Sequence, residues 1–571
     1  MSDLRIQSRT TKIFSRLLGY GTITATAALL FFFLIYPVGI IISKAFLSPT
    51  GFTLEYFRLL FANNVQTTGI WNSLLIGLGT TFFATLVSFP LAIISARYEF
   101  RGKGILSALL LLPMVMPPFV GAIGIQRFFA RFGSVNIFLL EHNIISDPIE
   151  WLSNDNLIWA VIFLEVLHLY PILYLNLSSA FANIDPSLEE MAQTLGASKF
   201  RRYWNIVWPL ARPGYFAGAI VVFIWSLTDL GTPLLVGFHN AMPVHIFNLV
   251  TDINENPIGY ALVFFVVLLT VSFFLTSKLF VSGKKYEMLS RGHVSGASKQ
   301  ASFRAKFLIY PMVFGTIFLA LIPHITVLIT SLGDSWFMTA LPEKYTLKYY
   351  GMVFEQDISA IGLKNSLIFA SLSTILDLIL GVLIAFVVTR KMIPLGGLLD
   401  AIVMVPLALP GIVLAFGYVI TYSDTFLDPL HNPIPLLVIA YAIRRLPYMV
   451  RSATAGLQQV SSSLEEASES FGASKWHTLR RITLPLVTAN LIAGGLLCFS
   501  YAILDVSDSL ILAMKDRFYP ITKAIYVLYL EQGSGEFVAS ALGMIAMIIL
   551  TVSILGASAI LGKKMGELFR T

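Results

Sequence analysis

The chain has 571 residues, of which 56% are apolar and only 12% are charged, and its mean hydropathy is +0.78. A soluble protein of this length carries about twice that charged fraction, so a soluble fold is excluded. The net charge of +7 does not indicate a nucleic-acid partner, because Lys and Arg lie in short stretches between apolar runs, where they report membrane orientation. The single cysteine, Cys498, excludes a disulfide framework or a cysteine-based metal site within the chain.

Apolar runs recur along the whole chain, and each is long enough to cross a bilayer core of roughly 30 Å as a helix. We predict an all-α polytopic membrane protein with twelve transmembrane helices. Their predicted bounds are 22–46, 68–96, 105–130, 157–180, 213–236, 258–281, 307–331, 364–389, 398–421, 433–457, 489–513 and 537–561. With the N-terminus inside, the inner loops and tails hold most of the 39 Lys and Arg residues. The positive-inside rule therefore favours both termini in the cytoplasm.

The second half of the chain repeats the first. Asn72, Pro113, Pro117 and Gly124 recur 293 positions later, as Asn365, Pro406, Pro410 and Gly417. From Pro171 and Pro447 onward the offset is 276, which predicts 17 additional residues in an outer loop of the first half, between about 131 and 156. Six spans are an even number, so we predict two parallel six-helix repeats, 1–282 and 307–571, joined by a cytoplasmic linker, 283–306.

Prolines recur inside the third and ninth predicted spans. Pro113, Pro117 and Pro118 lie in the third span, and Pro406 and Pro410 lie in the ninth. Proline removes helix hydrogen bonds, and lipid cannot supply partners for the freed carbonyls. Each proline alone is typical of a packing kink. Their recurrence in both halves favours helix breaks that border a pathway.

A polar, helix-forming stretch occurs twice between apolar spans, at 187–209 and at 463–485. Ser187-x-x-Glu190 and Ser463-x-x-Glu466 match the capping box, in which serine and glutamate satisfy the first backbone N–H groups of a helix. Gly196 follows the first helix, where glycine is typical of a helix end or of a close backbone approach. Capping alone is one interpretation of these glutamates; the second copy, on the same membrane face, favours a functional role.

The repeated stretch resembles the EAA loop of type I ABC importer permeases, whose pattern is Glu-Ala-Ala, three residues, Gly, nine residues and Ile-x-x-Pro. The matching residues are Glu190, Ala192, Gly196, Ile206 and Pro209, and Glu466, Ala467, Gly472, Ile482 and Pro485, with Met191 and Ser468 in place of alanine. The fused form is similar to permeases for ferric iron, thiamine and aminoethylphosphonate, with ferric iron the nearest.

Membership of this family implies a multi-pass subunit of the bacterial inner membrane. It implies that both loops are coupling helices seated on a homodimer of a separate cytoplasmic ATPase, which binds ATP and Mg²⁺, so that this chain itself carries no cofactor. It also implies a periplasmic or extracellular substrate-binding protein as a second partner. Agreeing with this, the chain contains no GxxxxGK[ST] phosphate loop.

Two other classes of function remain alternatives. Twelve spans in two parallel halves also describe the major facilitator fold, but the loop RYEFRGKG after the second span lacks the Gly-x-x-x-Asp…Gly-Arg pattern of that family. A membrane-embedded enzyme would need a catalytic constellation, and the chain has no metal-binding motif such as HExxH. No metal site can be assigned.

Ionisable residues inside spans are costly and mark functional sites by default. The predicted set is Asp229, Asp505, Asp508, Glu165, His168, Arg444 and Arg445. Asp229 and Asp505 are repeat equivalents, expected at equal depth, and Asp508 is expected on the same helix face as Asp505. The set either lines the route of a hard cation, binds an anionic solute through the arginines, or forms buried ion pairs that only fix packing. Asp377 has no assignable role.

Amphipathic, aromatic segments follow the first span of each half, at 47–67 and 332–363. Two interpretations remain open for them. They either dock a substrate-binding protein or lie as helices at the membrane interface with aromatic anchors.

Overall fold

The chain folds as a bundle of long apolar helices with short surface helices between them. The computed structural model describes residues 19–49, 51–115, 117–250, 257–281, 299–334, 336–392 and 394–561. Within these residues the strands have two residues each: β1, Leu47–Ser48, pairs with β2, Gly51–Phe52, and β3, Tyr98–Glu99, pairs with β4, Lys299–Gln300. The basic N-terminal residues Arg5, Arg9, Lys12 and Arg16, which the positive-inside rule counts as cytoplasmic, lie outside the described residues.

The described residues of the first half form twelve helices. They are α1, Gly19–Phe46; α2, Glu55–Ala62; α3, Asn64–Arg97; α4, Lys103–Val115; α5, Pro118–Phe129; α6, Ser134–Glu141; α7, Leu157–Ala182; α8, Pro186–Thr194; α9, Lys199–Thr228; α10, Gly231–Val236; α11, Met242–Leu249; and α12, Ile258–Val281.

The second half repeats this order. Its helices are α13, Phe303–Leu332; α14, Lys348–Glu355; α15, Asp357–Thr389; α16, Gly396–Val403; α17, Gly411–Tyr422; α18, Ile434–Gln459; α19, Ser462–Ser470; α20, Trp476–Ile503; α21, Ser507–Leu512; α22, Ile521–Leu530; and α23, Gly535–Leu561. Helix α6 has no counterpart and lies in the loop that the change of offset predicted to be longer.

The described residues contain nine helices that are long and apolar enough to cross a membrane, or up to eleven when the bent pairs α4–α5 and α16–α17 each count as one span. Helix α18, with 26 residues, is not among them, because it carries Arg444, Arg445 and Arg451. By length and composition alone, the described residues therefore contain at most eleven spans and not the predicted twelve. The twelfth depends on whether this charged helix is counted.

Four predicted spans are broken: two at the repeated prolines, where the sequence favours helix breaks, and two where no break was predicted. The third bends by 89° between α4 and α5, and the ninth bends by 94° between α16 and α17, at the repeated prolines. The fifth ends at Thr228 and the eleventh at Ile503, each followed by a short helix, α10 or α21. Apolar composition continues across the breaks in the fifth and eleventh spans, so hydropathy did not reveal these two.

The first helix of each half packs against the other half. Helix α1 packs against α12 and against α17 of the second half, where the hydroxyl groups of Tyr418 and Tyr422 donate to the carbonyls of Phe33 and Phe32, both at 2.6 Å. Helix α13 correspondingly packs against α23 and against α4 and α5 of the first half. This exchange interlocks the two halves.

The repeated glycines Gly124 and Gly417 lie where the exchanged helices cross. A Cβ atom on Gly124 would lie 2.0 Å from the carbonyl oxygen of Pro323 on α13, and one on Gly417 would lie 3.1 Å from Cβ of Pro37 on α1. Only glycine allows the first approach. Such close crossings are typical of small residues between membrane helices.

We expect Gly124→Ala to destabilise the chain by about 1–3 kcal/mol, the usual cost of overpacking, because the obstructing atom belongs to the backbone. Thermal unfolding in detergent measures the effect. Gly315→Ala on α13 is the matched control, since nothing lies within 4 Å of its Cβ position. Equal unfolding temperatures for the two variants would contradict the close crossing.

The predicted linker, 283–306, is described only from residue 299 onward. Its last residues are attached to the first half: β4 runs parallel to β3, and the N–H of Ala301 donates to the carbonyl of Glu99 at 2.9 Å. The hydroxyl group of Tyr310 on α13 donates to the carbonyl of Arg101 at 3.1 Å. The division into two halves stays a prediction.

Candidate functional site: paired surface helices and a central cavity

The repeated polar stretches form the short surface helices α8 and α19, which lie beside the ends of α3 and α15. The predicted capping box is wrong in both copies. The N-cap of α8 is Asp185, whose carboxylate accepts the N–H of Ser187 at 2.9 Å, and this bond lowers the pKa of Asp185. The N-cap of α19 is Ser461, whose hydroxyl oxygen accepts the N–H of Ser463 at 3.3 Å. Each helix thus begins before the predicted serine.

Gly196 and Gly472 end these helices in the left-handed region, with φ of +81° and +88°. The N–H of Ala197 donates back to the carbonyl of Ala192 at 2.9 Å, and the N–H of Ala473 donates to the carbonyl of Ser468 at 3.2 Å, as in a Schellman cap. Nothing lies within 4 Å of a Cβ placed on either glycine. The glycines therefore serve the backbone turn, not a close approach.

The Ile-x-x-Pro signature forms a π-helical turn at the start of α9 and α20. The turns span Tyr203–Val207 and Leu479–Thr483, and contain Ile206 and Ile482. Proline clashes with the carbonyl four residues earlier in a regular helix. The wider turn before Pro209 and Pro485 provides the change of register that accommodates this ring.

Two kinds of side chain on this surface face solvent in both halves. Glu190 and Glu466 are exposed. Leu195 and Phe471, at equivalent positions, are 88% and 93% exposed, and a second equivalent pair, Phe200 and Trp476, is also exposed. Ala192 is half-buried and Ala467 is exposed. Large apolar groups presented in duplicate on a polar surface indicate an interaction site.

The glutamates adjacent to the predicted ones face inward. Glu189 pairs with Arg97 at the end of α3 at 2.6 Å, and Glu465 pairs with Arg390 at the end of α15 at 2.8 Å. Sequence reasoning missed these pairs. The signal was available, because Arg97 and Arg390 differ by 293 positions and Glu189 and Glu465 by 276, the two repeat offsets.

A cavity of about 210 Å³ lies between the halves, next to the four helix breaks. Six of the seven predicted intramembrane residues line it; Asp508 lies directly behind the wall. The lining also includes Pro118 and Pro410 at the bends, and Tyr448, Tyr501, Leu504 and Gly411, which sequence reasoning did not single out.

The second-half wall of the cavity is a closed network of ion pairs. Nη1 of Arg444 donates to Asp505 at 2.6 Å and to Asp508 at 2.9 Å. Nη2 of Arg445 donates to Asp505 and to the carbonyl of Tyr501, both at 2.7 Å. Two guanidinium groups therefore meet two carboxylates, and the formal charge of this wall is zero. Glu165 is not part of the network, although it was one of the predicted partners.

The first-half wall carries carboxylates without a neighbouring arginine. Glu165 is buried, and its Oε1 has no hydrogen-bond partner among the described residues. Asp229 lies beside it. Nδ1 of His168 lies 3.0 Å from the carbonyl oxygen of Pro113, which Pro117 deprives of its helical partner. This wall therefore offers carboxyl oxygens that no guanidinium group neutralises.

Asp229 and Asp505 lie in helix breaks, not inside helices as predicted. Asp229 accepts the N–H of Thr232 at 2.8 Å, and Asp505 accepts the N–H of Asp508 at 3.0 Å, so each satisfies a backbone N–H in the first turn of the short helix that follows. Asp508 consequently lies on α21 and does not share a helix face with Asp505. The two aspartates occupy equivalent positions, as the repeat predicts. Among the described residues, no group of three or more His, Cys, Asp or Glu residues is arranged to hold a metal ion.

Comparison with known proteins shows similarity over most of the chain. The family model of the binding-protein-dependent transport system inner membrane component matches twice, at residues 88–286 and 377–567. The ferric transport system permease protein FbpB of Actinobacillus pleuropneumoniae is 27% identical over 544 residues, which cover 94% of this chain and 77% of that protein.

Two shorter proteins each match a little under half of this chain. The spermidine/putrescine transport system permease protein PotC of Escherichia coli is 27% identical over 277 residues, which cover 47% of this chain and 96% of PotC. A solved bacterial ABC transporter involved in the import of alginate has a chain that is 19% identical, with a TM-score of 0.40, covering 46% of this chain and 94% of that one.

Proposed function

Because this chain belongs to the family of binding-protein-dependent transport system inner membrane components and is the multi-pass permease of an ABC importer, we propose that it carries ferric iron across the inner membrane. We further propose that α8 and α19 are the coupling helices through which a cytoplasmic ATPase homodimer moves the two halves. A periplasmic binding protein delivers the solute. ATP and Mg²⁺ belong to the ATPase, and this chain supplies the path.

The observation that carries the coupling proposal is the duplicated exposed surface of α8 and α19. Leu195 and Phe471 project beyond the helix ends, and Glu190 and Glu466 lie beside them without serving as caps. An apolar anchor flanked by a charge is suited to a groove on another protein. Arg97, Arg390 and other basic residues cluster on the same face, which supports its placement in the cytoplasm.

Six spans in each half follow if α18 is counted. Its Arg444 and Arg445 are neutralised by Asp505 and Asp508, so the helix can cross the bilayer against protein. A twelve-span arrangement with both termini in the cytoplasm is then our proposal for the topology.

Ferric iron is supported by the cavity as well as by relatives. The carboxyl groups of the cavity that are not paired with arginine belong to Glu165 and Asp229, and hard cations bind carboxylate oxygens. The arginines are already paired, which disfavours the phosphonate alternative. An organic polycation such as a polyamine is the second candidate, because the same carboxyl groups suit it and PotC is 27% identical over 277 residues of this chain.

Uptake into proteoliposomes tests the proposal. The chain, its ATPase and the binding protein that co-purifies with it are reconstituted with ATP, and radioactive Fe(III) and spermidine are supplied in parallel. We expect Fe(III) to accumulate only when ATP and the binding protein are both present. Uptake of spermidine instead would select the second candidate, and proton-driven uptake by the chain alone would reject the importer mechanism.

A further inference from the structure

The inward-facing glutamates on α8 and α19 connect these helices to the rest of their own half. Glu189 and Glu465 occupy equivalent positions, and each meets the last arginine of a long helix, Arg97 on α3 or Arg390 just after α15. The arginines are related by the 293-residue offset and the glutamates by the 276-residue offset, so the second pair is the repeat equivalent of the first and not a chance surface contact.

The two pairs are not equally embedded. The side chains of Arg97 and Glu189 are 41% and 22% exposed, whereas those of Arg390 and Glu465 are 16% and 12% exposed. Solvent weakens an ion pair and burial strengthens it. The second pair is therefore the stronger one by environment alone.

Additional hydrogen bonds increase the difference. Arg390 also donates to the carbonyl of Val460 at the end of α18, at 3.3 Å, and Thr483 donates to the same carboxylate oxygen of Glu465, at 2.9 Å. The residue equivalent to Thr483 in the first half is Val207, which has no hydroxyl group. In its place, Arg202 donates to the side chain of Gln193 at 2.7 Å and to the backbone carbonyl of Glu189 at 3.4 Å, which connects α8 to α9 and, among the described residues, leaves the carboxylate of Glu189 to Arg97 alone.

We propose that Arg97 and Arg390 are positioning residues that brace the two coupling helices, and that the brace in the second half is the stiffer. The inference rests on the proposed coupling role for its functional meaning, but the braces themselves do not. In the second half, force from the ATPase on α19 is transmitted to α15 and α18 through a rigid contact. In the first half, α8 shifts relative to α3 before α3 itself moves. The two halves then receive the same ATPase movement unequally.

Hydrogen–deuterium exchange on the full chain in lipid nanodiscs, without ATPase, tests the braces directly. We expect amides of α8 to exchange faster than those of α19 in the unmodified chain. Arg390→Ala should accelerate exchange in α19 about 10-fold, and Arg97→Ala should accelerate exchange in α8 about 3-fold. Each change should leave the other coupling helix and α22 unaltered, because the braces are local.

Charge exchange and conservative replacement separate positioning from simple loss of structure. Arg390→Glu or Glu465→Arg alone should release α19, whereas the double exchange and Arg390→Lys should restore most of its protection. In the reconstituted complex the released variants should hydrolyse more ATP per Fe(III) imported, and the rescued variants should return to the original ratio.

Three results would overturn the proposal: equal exchange of α8 and α19 in the unmodified chain, unchanged exchange in the single variants, or an unaltered ratio of ATP to Fe(III) in chains whose α19 is released. Failure of the coupling role itself looks different. In that case the unmodified complex would show no ATP hydrolysis stimulated by the binding protein, whatever the exchange experiment gives.

Discussion

Replacing Leu195 and Phe471 together with aspartate is expected to abolish ATP hydrolysis stimulated by the binding protein, while the chain remains inserted at its normal level. Both side chains are almost fully exposed, so the fold loses no packing. Buried apolar anchors at protein interfaces each contribute about 2–4 kcal/mol, and two carboxylates in an apolar groove add a desolvation cost. ATPase assays on the reconstituted complex, together with co-purification of the ATPase, measure the effect.

Phe426 provides the matched control for this experiment. It is 95% exposed, in the loop between α17 and α18, at the opposite end of α18 from α19. Phe426→Asp therefore introduces the same chemical change away from the coupling surface and should leave ATPase binding intact. Glu466→Lys and Gly196→Asp should also abolish stimulation, the first by reversing an exposed charge and the second by straining the left-handed turn. Normal stimulation in these variants would contradict the coupling role.

Neutralising the first-half wall of the cavity should reduce Fe(III) uptake without reducing the amount of protein. Glu165→Gln combined with Asp229→Asn replaces both carboxyl groups with amides and keeps the shape of the wall. We expect uptake to fall by about 10-fold or more, since each lost charged contact is worth about 1.5–3 kcal/mol. Asp377→Asn is the control, because Asp377 is buried in α15 but does not line the cavity.

The second-half wall should respond differently. Arg444→Ala with Arg445→Ala leaves Asp505 and Asp508 buried without counter-charges, which costs about 3–5 kcal/mol in other buried pairs. We expect the protein to be lost from the membrane, with transport per remaining molecule largely retained. If the arginine variant stays fully inserted and only it loses uptake, the route serves an anion and the cation proposal is wrong.

Most of the correct predictions were made from the internal repeat. Its offsets located the longer first-half loop around α6 and the equivalent aspartates, and its EAA pattern identified the family that the comparison confirmed. Local choices were less predictable. Asp185 and Ser187 are both good caps, two residues apart, and only the course of the chain decides between them.

The unpredicted ion pairs and helix breaks have different causes, the first long-range and the second local. Glu189 and Glu190 are adjacent on one short helix, and which of them turns inward depends on Arg97, 92 positions away. The breaks at Asp229 and Asp505 are invisible to hydropathy, because each aspartate satisfies the backbone that it interrupts within its own segment. The inward orientation of Glu189 cannot be read from periodicity, because its partner lies elsewhere in the fold, whereas the cause of each break lies in its own segment.

The exchange of α1 and α13 has a consequence for assembly. In an isolated half, the first helix would have no helix of the other half to pack against, and the surface that receives the other half's first helix would be exposed to lipid. Neither half is therefore a complete folding unit in the bilayer. The halves are also unlike, with acidic residues on one side of the cavity and ion pairs on the other. Because the two halves are synthesised as one polypeptide, a first half always pairs with a second half and not with another copy of itself.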